Sequence, residues 1–364
     1  MKLAAKATAR CLLLCVDSPQ GRTSKCLGEC HDCNPYRRRR ACLIDDTRRP
    51  ALRNPAQWRP STAGAAMMPL GEIPLGVWRT RSQALSFNGH SIRYWAAGRG
   101  EPLLLLHGFP TASHDWHYLW KPLVSQYRVI ACDMLGFGDS AKPGRHAYSL
   151  LEQADLQQAL LAHLNITEPV HLLAHDYGSN VAQELIFRHT QQRIRIASCV
   201  FLNGGLFADA HRPARLQRWL SGPVGWWVGR VFDRAALVRS IPELYGPDTG
   251  PNESELDDCW QLLTHNQGPR VFHRLMGYLQ ETRAHGERWT QAMQEGGVAM
   301  RMIVGGSDRI AGVRMLERYR QLMPGADTVL LPDIGHYPHT EAPTQVLRHF
   351  REFHAPVTRR VAVL

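Results

Sequence analysis

The chain has 364 residues, 44% of them hydrophobic and 21% charged, the proportions of an ordinary globular protein with room for one large domain or two small ones. Its formal net charge is +11, but residues 1–66 hold 13 Lys and Arg against 5 Asp and Glu, so the basic excess belongs mainly to that stretch. It therefore argues for no nucleic-acid partner of the folded part.

Residues 1–66 show no sustained helical or strand period. They contain the run Arg37–Arg40, several prolines and a Ser-Thr-Ala-Gly linker ending near Ala66. We read this segment as disordered, or as an over-extended start with initiation at Met67 or Met68. It also holds six of the nine cysteines: Cys11, Cys15, Cys26, Cys30, Cys33 and Cys42. The spacing Cys26-x3-Cys30-x2-Cys33 resembles the cluster motif of radical-SAM enzymes, and with His31 it imitates a zinc site. No barrel pattern surrounds it and no second ligand pair follows, so neither a cluster nor a metal is expected. Beyond this segment only Cys132, Cys199 and Cys259 remain, which predicts a reducing compartment without a disulfide framework. The apolar run Cys11–Val16 is too short to span a bilayer, and no small-residue cleavage site follows it. A cytoplasmic location without stable membrane insertion is the expectation.

From about Leu75 the texture changes. Ser91–Ala97 alternates like a strand. Pro102–Leu106 is a short apolar run ending at His107-Gly108, as in a buried parallel strand. Tyr127–Cys132 is another, ending at Asp133. Ser149 and Glu152 then set a capping-box pattern ahead of Leu150, Leu151, Ala154, Leu161 and Leu164 at helical spacing. Pro169–Ala174 reads as the next buried strand, Ser179–His189 as a helix and Ile194–Leu202 as a strand. Between about Leu206 and Gly297 no sheet strand is readable; the stretch is helical and rich in tryptophan, with Asn252 and Glu255 repeating the capping pattern. Val298–Val304 and Thr328–Leu331 supply the last strands, with helices at Val313–Leu322 and Thr344–His354. Strands alternating with helices predict an α/β fold, a mostly parallel sheet covered on both faces. Residues 75–205 and 297–356 form its core, and residues 206–296 form an inserted helical cap over the carboxyl ends of the strands, where such sheets bind ligands. Leu220–Phe232 would suit a membrane interface; we read it instead as the cap's own core or the lining of a substrate tunnel.

The chemistry is read from four places. Ala174-His175-Asp176-Tyr177-Gly178 sits where a buried strand meets a helix and fits the tight nucleophile elbow, which demands small residues on either side of the nucleophile. The nucleophile slot holds Asp176, where a helix N-terminus favours the anion. His107-Gly108-Phe109-Pro110 follows the third strand; the backbone N–H groups of Phe109 and Tyr177 would form an oxyanion hole that does not depend on their side chains. Gly305-Gly306-Ser307-Asp308 places a carboxylate after a strand, where it can orient an imidazole. The alternative position for that acid reads Leu202-Asn203-Gly204 and holds none. Gly335-His336-Tyr337 then supplies the base; His339 is a rival without the preceding glycine. The chain order nucleophile, acid, histidine gives these residues weight that no single one of 18 histidines has.

These motifs resemble the Asp-nucleophile branch of the α/β-hydrolases, with its epoxide hydrolases and haloalkane dehalogenases, over about Leu75 to His354. More narrowly the chain resembles the mesoderm-specific transcript family. The narrower resemblance rests on His107-Gly108-Phe109-Pro110-Thr111, Leu135-Gly136-Phe137-Gly138, His175-Asp176-Tyr177-Gly178, Asn203-Gly204-Gly205 with His211-Arg212-Pro213, Tyr245-Gly246-Pro247 with Ser254-Glu255-Leu256, and His336-Tyr337-Pro338. The resemblance implies a hydrolase site acting on a small hydrophobic substrate with water, and no cofactor. Dehalogenases of this branch hold their halide with Trp after the nucleophile and often Asn after His-Gly; Tyr177 and Phe109 stand there instead. Epoxide hydrolases protonate the leaving oxygen with cap tyrosines, for which Tyr278 and Tyr245 are the candidates. Epoxide hydrolysis is the favoured reading. A dehalogenase-like or esterase-like hydrolase and a non-catalytic binding protein of this fold are the alternatives.

Overall fold

The computed structural model describes residues 71–323 and 325–355; the readings made for residues 1–66, including the Cys26–Cys33 spacing, lie outside them. The apolar runs become the middle of one eight-stranded sheet. Its strands are β1 (Gln83–Phe87), β2 (His90–Ala97), β3 (Pro102–Leu106), β4 (Arg128–Cys132), β5 (Val170–His175), β6 (Ile196–Leu202), β7 (Ala299–Gly305) and β8 (Asp327–Leu331), in the order β1-β2-β4-β3-β5-β6-β7-β8. β1 and β2 pair antiparallel with their neighbours, and every pairing from β4 to β8 is parallel. The chain thus folds as an α/β-hydrolase. β3 and β5 are buried along their whole length, which is why they read as unbroken apolar runs. Alternate residues face opposite layers: Leu104, Leu106, Leu172 and Ala174 enter one hydrophobic cluster, Leu103, Leu105 and Leu173 the other.

The helices divide between these layers and the space beyond the strand ends. α1 (Leu75–Thr80), α2 (His117–Val124), α3 (Leu150–His163) and α4 (Tyr177–Thr190) precede β6. Six follow it before β7: α5 (Arg215–Leu220), α6 (Gly225–Val231), α7 (Arg234–Ser240), α8 (Glu253–Thr264), α9 (Phe272–Leu275) and α10 (Tyr278–Glu295). α11 (Val313–Leu322), α12 (Pro338–Glu341) and α13 (Pro343–His354) complete the chain's described part. The helical stretch between β6 and β7 reaches the loops after three strands. Phe272 packs on Phe109 at 5.3 Å between ring centroids, Tyr278 on Tyr177 at 5.2 Å, and Leu275 approaches Gly136.

Two differences from the sequence reading stand out. β1 was missed because it is an edge strand whose residues are mostly exposed, leaving no apolar run to see. Its signal was Asn88-Gly89, both at positive φ, the pair that a two-residue hairpin turn requires. The second is a correction. Leu220 is buried as expected, but Trp226 and Trp227 are 51% and 54% exposed, so this stretch is not the cap's core. No helix of the described residues is long and apolar enough to cross a membrane.

Candidate active site

Parallel register lines up the strand ends. Leu106 pairs with Ala174 and His175 with Leu202, so the residues just beyond β3, β5 and β6 meet along one edge. Asp176 occupies the strand-to-helix turn at φ 45° and ψ −115°, a backbone state few residues adopt without surrounding constraint. The constraint is visible at Gly178, where a Cβ would stand 2.3 Å from the carbonyl oxygen of Leu106. Only glycine lets α4 start this close to β3.

The side chain of Asp176 is 1% exposed. Its Oδ2 accepts the N–H of Phe109 at 3.0 Å, and the N–H of Tyr177 also bonds the carboxylate. Burial raises its pKa above the ordinary carboxylate value; nearby His336 and the two amides oppose that without reversing it. Oδ1 lies 3.9 Å from Nε2 of His336. One carboxylate oxygen is thus cradled by amides, and the other faces the imidazole.

His336 Nδ1 stands 2.9 Å from Oδ2 of Asp308, and both residues are buried. Burial works against a charged imidazole, but the carboxylates of Asp308 and then Asp176 outweigh it and push His336 up to about 9. Burial likewise works against the Asp308 anion. His336, Asn203 and the N–H of Ile310 overcome it and leave the Asp308 pKa below the usual value.

The residues predicted from sequence lie around one place in the fold but meet it in different ways. Asp176, Asp308, His336 and the amides of Phe109 and Tyr177 converge. Tyr278 joins them: it is 2% exposed, and the charge of Asp176 helps to raise its pKa after burial does. Its hydroxyl oxygen accepts from Nε2 of Gln217 at 3.2 Å, which leaves its own proton uncommitted to that bond. Tyr245 sits against the His336 loop: its ring centroid is 5.3 Å from that of Tyr337, its hydroxyl is 3.5 Å from Oγ1 of Thr340, and the carbonyl of the preceding Leu244 accepts the N–H of His336 at 2.7 Å. The rival His339 is fully buried beside Trp116, 4.6 Å between ring centroids, and neither ring nitrogen has a hydrogen-bond partner among the described residues.

Three supporting residues were not read from the sequence. Asn203, where the alternative acid would stand, donates to Oδ2 of Asp308 at 2.8 Å and accepts the N–H of Gly305 at 2.8 Å. Its positive φ of 38° is a state that asparagine tolerates, and Asn203-Gly204 after an apolar run was the available signal. Glu341 brackets the base, accepting the N–H groups of Gly335 at 2.8 Å and Tyr337 at 2.9 Å. His175 bonds the carbonyl of His336 at 2.8 Å through Nε2, fastening the His336 loop to β5. Among the described residues, one group has the composition to hold a metal ion: Asp115, His175 and His339, with ligand atoms within 4.8 Å of one another.

Residues 101–242 match the model of the alpha/beta hydrolase fold family. The chain is 37% identical over 289 residues to the mesoderm-specific transcript protein of Mus musculus, spanning 76% of this chain and 86% of that protein. It is 26% identical over 283 residues, 74% of this chain and 86% of the relative, to a cis-3-alkyl-4-alkyloxetan-2-one decarboxylase of Shewanella oneidensis. The solved structure of the epoxide hydrolase CorEH superposes with a TM-score of 0.63 at 20% identity, covering 75% of this chain and 97% of that one; this likeness is one of fold.

Proposed function

The chain belongs to the mesoderm-specific transcript family of α/β-hydrolases, and from that premise we propose that it hydrolyses a small hydrophobic epoxide through an alkyl ester on Asp176. The observation that carries this reading is the buried carboxylate of Asp176, with one oxygen in the amide cradle and the other facing His336 at 3.9 Å. A carboxylate that attacks an acyl ester must expel the more basic alkoxide to make an anhydride, so the adduct reverts more readily than it advances. One that attacks an sp³ carbon bearing a leaving oxygen makes an ordinary ester, which water can cleave.

In the first step Oδ1 of Asp176 bonds the ring carbon and the carbon–oxygen bond of the epoxide breaks. The departing alkoxide takes the proton of the Tyr278 hydroxyl, whose oxygen is steadied by Gln217. In the second, His336 takes a proton from water and the resulting hydroxide adds to the ester carbon. The amides of Phe109 and Tyr177 hold the oxyanion. The ester bond then breaks, and the departing alkoxide takes the proton from His336. The Asp176 acid passes its own proton to His336, and a diol leaves. Tyr278 is restored by the proton that His336 gives up after esterification.

The electrostatics order these steps. Asp176 helps to hold His336 in its charged form. Esterification removes that negative charge, the imidazole's pKa falls, and the base becomes available when there is an ester to hydrolyse. Phe109 and Tyr177 offer no side-chain N–H to a halide, which disfavours dehalogenation. A pure binding protein has no use for the convergence of Asp176, Asp308 and His336. A four-membered lactone is a second substrate class, favoured by the activity for which the Shewanella oneidensis relative is named; it too presents an sp³ carbon bearing a leaving oxygen.

The test is to stop the cycle halfway. His336→Gln mixed with an epoxide that the wild type consumes is expected to accumulate a covalent adduct on Asp176, seen by intact mass and peptide mapping. Asp176→Ala should form none. Absence of the adduct in His336→Gln, with wild-type turnover of the same compound, would leave direct attack by water as the mechanism.

A further inference from the structure

Eight large hydrophobic side chains are exposed among the described residues, and five of them crowd into thirteen positions: Trp219, Val224, Trp226, Trp227 and Val231. This is a patch, not the scatter that ordinary surfaces show. Of the other described tryptophans, Trp78, Trp95, Trp116, Trp120 and Trp289 are buried and Trp260 is half-buried.

α6 explains how the patch is held outward. Its sequence is Gly-Trp-Trp-Val-Gly-Arg-Val, and it is seated on the body through its glycines. A Cβ on Gly225 would stand 1.9 Å from the carbonyl oxygen of Leu220, and one on Gly229 would stand 2.1 Å from that of Pro269. The small face is buried and the aromatic face is exposed, the reverse of an amphipathic helix that covers its own core. Beside Trp226 runs a groove lined by Lys142, Arg145, Arg230, Arg270 and Arg274, with no carboxylate among its lining residues. The four arginines are exposed. None of them makes an ion pair among the described residues. Arg230 is tethered at the boundary: its guanidinium lies 5.2 Å from the Trp226 ring and donates to the Trp226 carbonyl.

We propose that this face docks on an anionic phospholipid surface, with Trp226, Trp227 and their apolar neighbours entering the headgroup boundary and the arginine groove taking lipid phosphates. Indole rings favour that boundary because they are apolar bodies with one polar N–H. Apolar area combined with cationic charge is what holds a peripheral helix on such a membrane. Charge decides against two other occupants. Residues 1–66 carry 13 Lys and Arg against 5 Asp and Glu, so the chain's own N-terminal segment is repelled by a cationic groove. A second copy joined face to face would set one arginine groove near another. The inference does not rest on the catalytic reading.

The test uses the full chain with vesicles of phosphatidylcholine alone and of phosphatidylcholine with phosphatidylglycerol. Co-sedimentation is expected with the anionic vesicles and to weaken with added salt. Because the basic N-terminal segment can add its own attraction, the decisive comparison is among variants. Trp226→Ser combined with Trp227→Ser, and separately Arg270→Glu combined with Arg274→Glu, should each weaken binding by about tenfold or more while leaving the melting temperature unchanged. Absence of anionic-vesicle binding, or binding unchanged in both double variants, would overturn the proposal. So would light scattering that showed a wild-type dimer dissociated by the tryptophan changes, since the patch would then be a contact between copies. Binding of an acidic protein with no vesicle binding would likewise count against it.

Discussion

At the sheet edge Asp308 accepts hydrogen bonds from Asn203, Ile310, Ala311 and His336, whereas among the described residues Tyr278 of the insert accepts one, from Gln217. Glu341 and His175 then tie the base's loop to its surroundings. The insert meets the edge through rings, Phe272 on Phe109 and Tyr278 on Tyr177, and through backbone, the carbonyl of Leu244 accepting the N–H of His336 at 2.7 Å and Glu341 accepting that of Gly246 at 2.8 Å. Interlocked polar groups hold a geometry to fractions of an ångström; aromatic contacts hold a shape while allowing different side chains to make it. On the function proposed above, the edge performs the chemical step and the insert shapes what reaches it.

The sharpest way to break this comparison is at its centre. Asp176→Ala should abolish turnover, since no other group offers an oxygen to the substrate carbon, and product formation at the wild-type rate would refute the nucleophile. Asp308→Asn comes next. It should slow ester breakdown by roughly a thousandfold to ten-thousandfold, because the imidazole loses both its orientation and the charge that stabilises its cation. Ester formation should change far less, which single-turnover measurement separates. Equal slowing of both steps would mean that Asp308 does more than serve the base.

On the insert side, Tyr278→Phe should lower kcat for an epoxide by about a hundredfold or more with little change in binding, as expected for a proton donor acting in the transition state. Tyr245→Phe should leave turnover near wild type. The opposite ranking would relocate the leaving-group acid to the Tyr337–Thr340 side.

The pH dependence sharpens the coupling between the two steps. A raised histidine pKa means that the charged form persists to higher pH: His336 in the free protein keeps its proton until about 9. Loss of the Asp176 charge on esterification lowers that value. Breakdown of a pre-formed ester should therefore rise with pH and level off below the free protein's value, and a rate flat across about pH 6 to 9 would remove His336 as the base.

The smallest effect contrasts the regions through two glycines. Gly178→Ala drives a Cβ against backbone at the elbow and should destabilise by roughly 3 kcal/mol or more. Gly286, inside α10, has open space at the Cβ position, so Gly286→Ala should stabilise by about 0.5–1 kcal/mol through helix propensity. Thermal melts give both signs.

Sequence by itself determined the parallel core and the chain order of the three candidate groups. Buried strands must be continuously apolar, and an elbow must flank its nucleophile with small residues, so Leu103–Leu106, Ala174 and Gly178 were legible one position at a time. The supporting shell was not. Asn203 and Asp308 are 105 residues apart, and His175 and His336 are 161 apart, so the bonds joining them have no local signature. Nor could pattern choose between Tyr278 and Tyr245, because both are aromatic residues in the helical stretch and only packing sets one on Tyr177 and the other on Tyr337. The outward face of α6 has the same origin. A Trp-Trp-Val run reads as core wherever apolar side chains are assumed to turn inward, and tertiary contact reversed it by giving the inward places to Gly225 and Gly229, where backbone approaches too closely for any side chain.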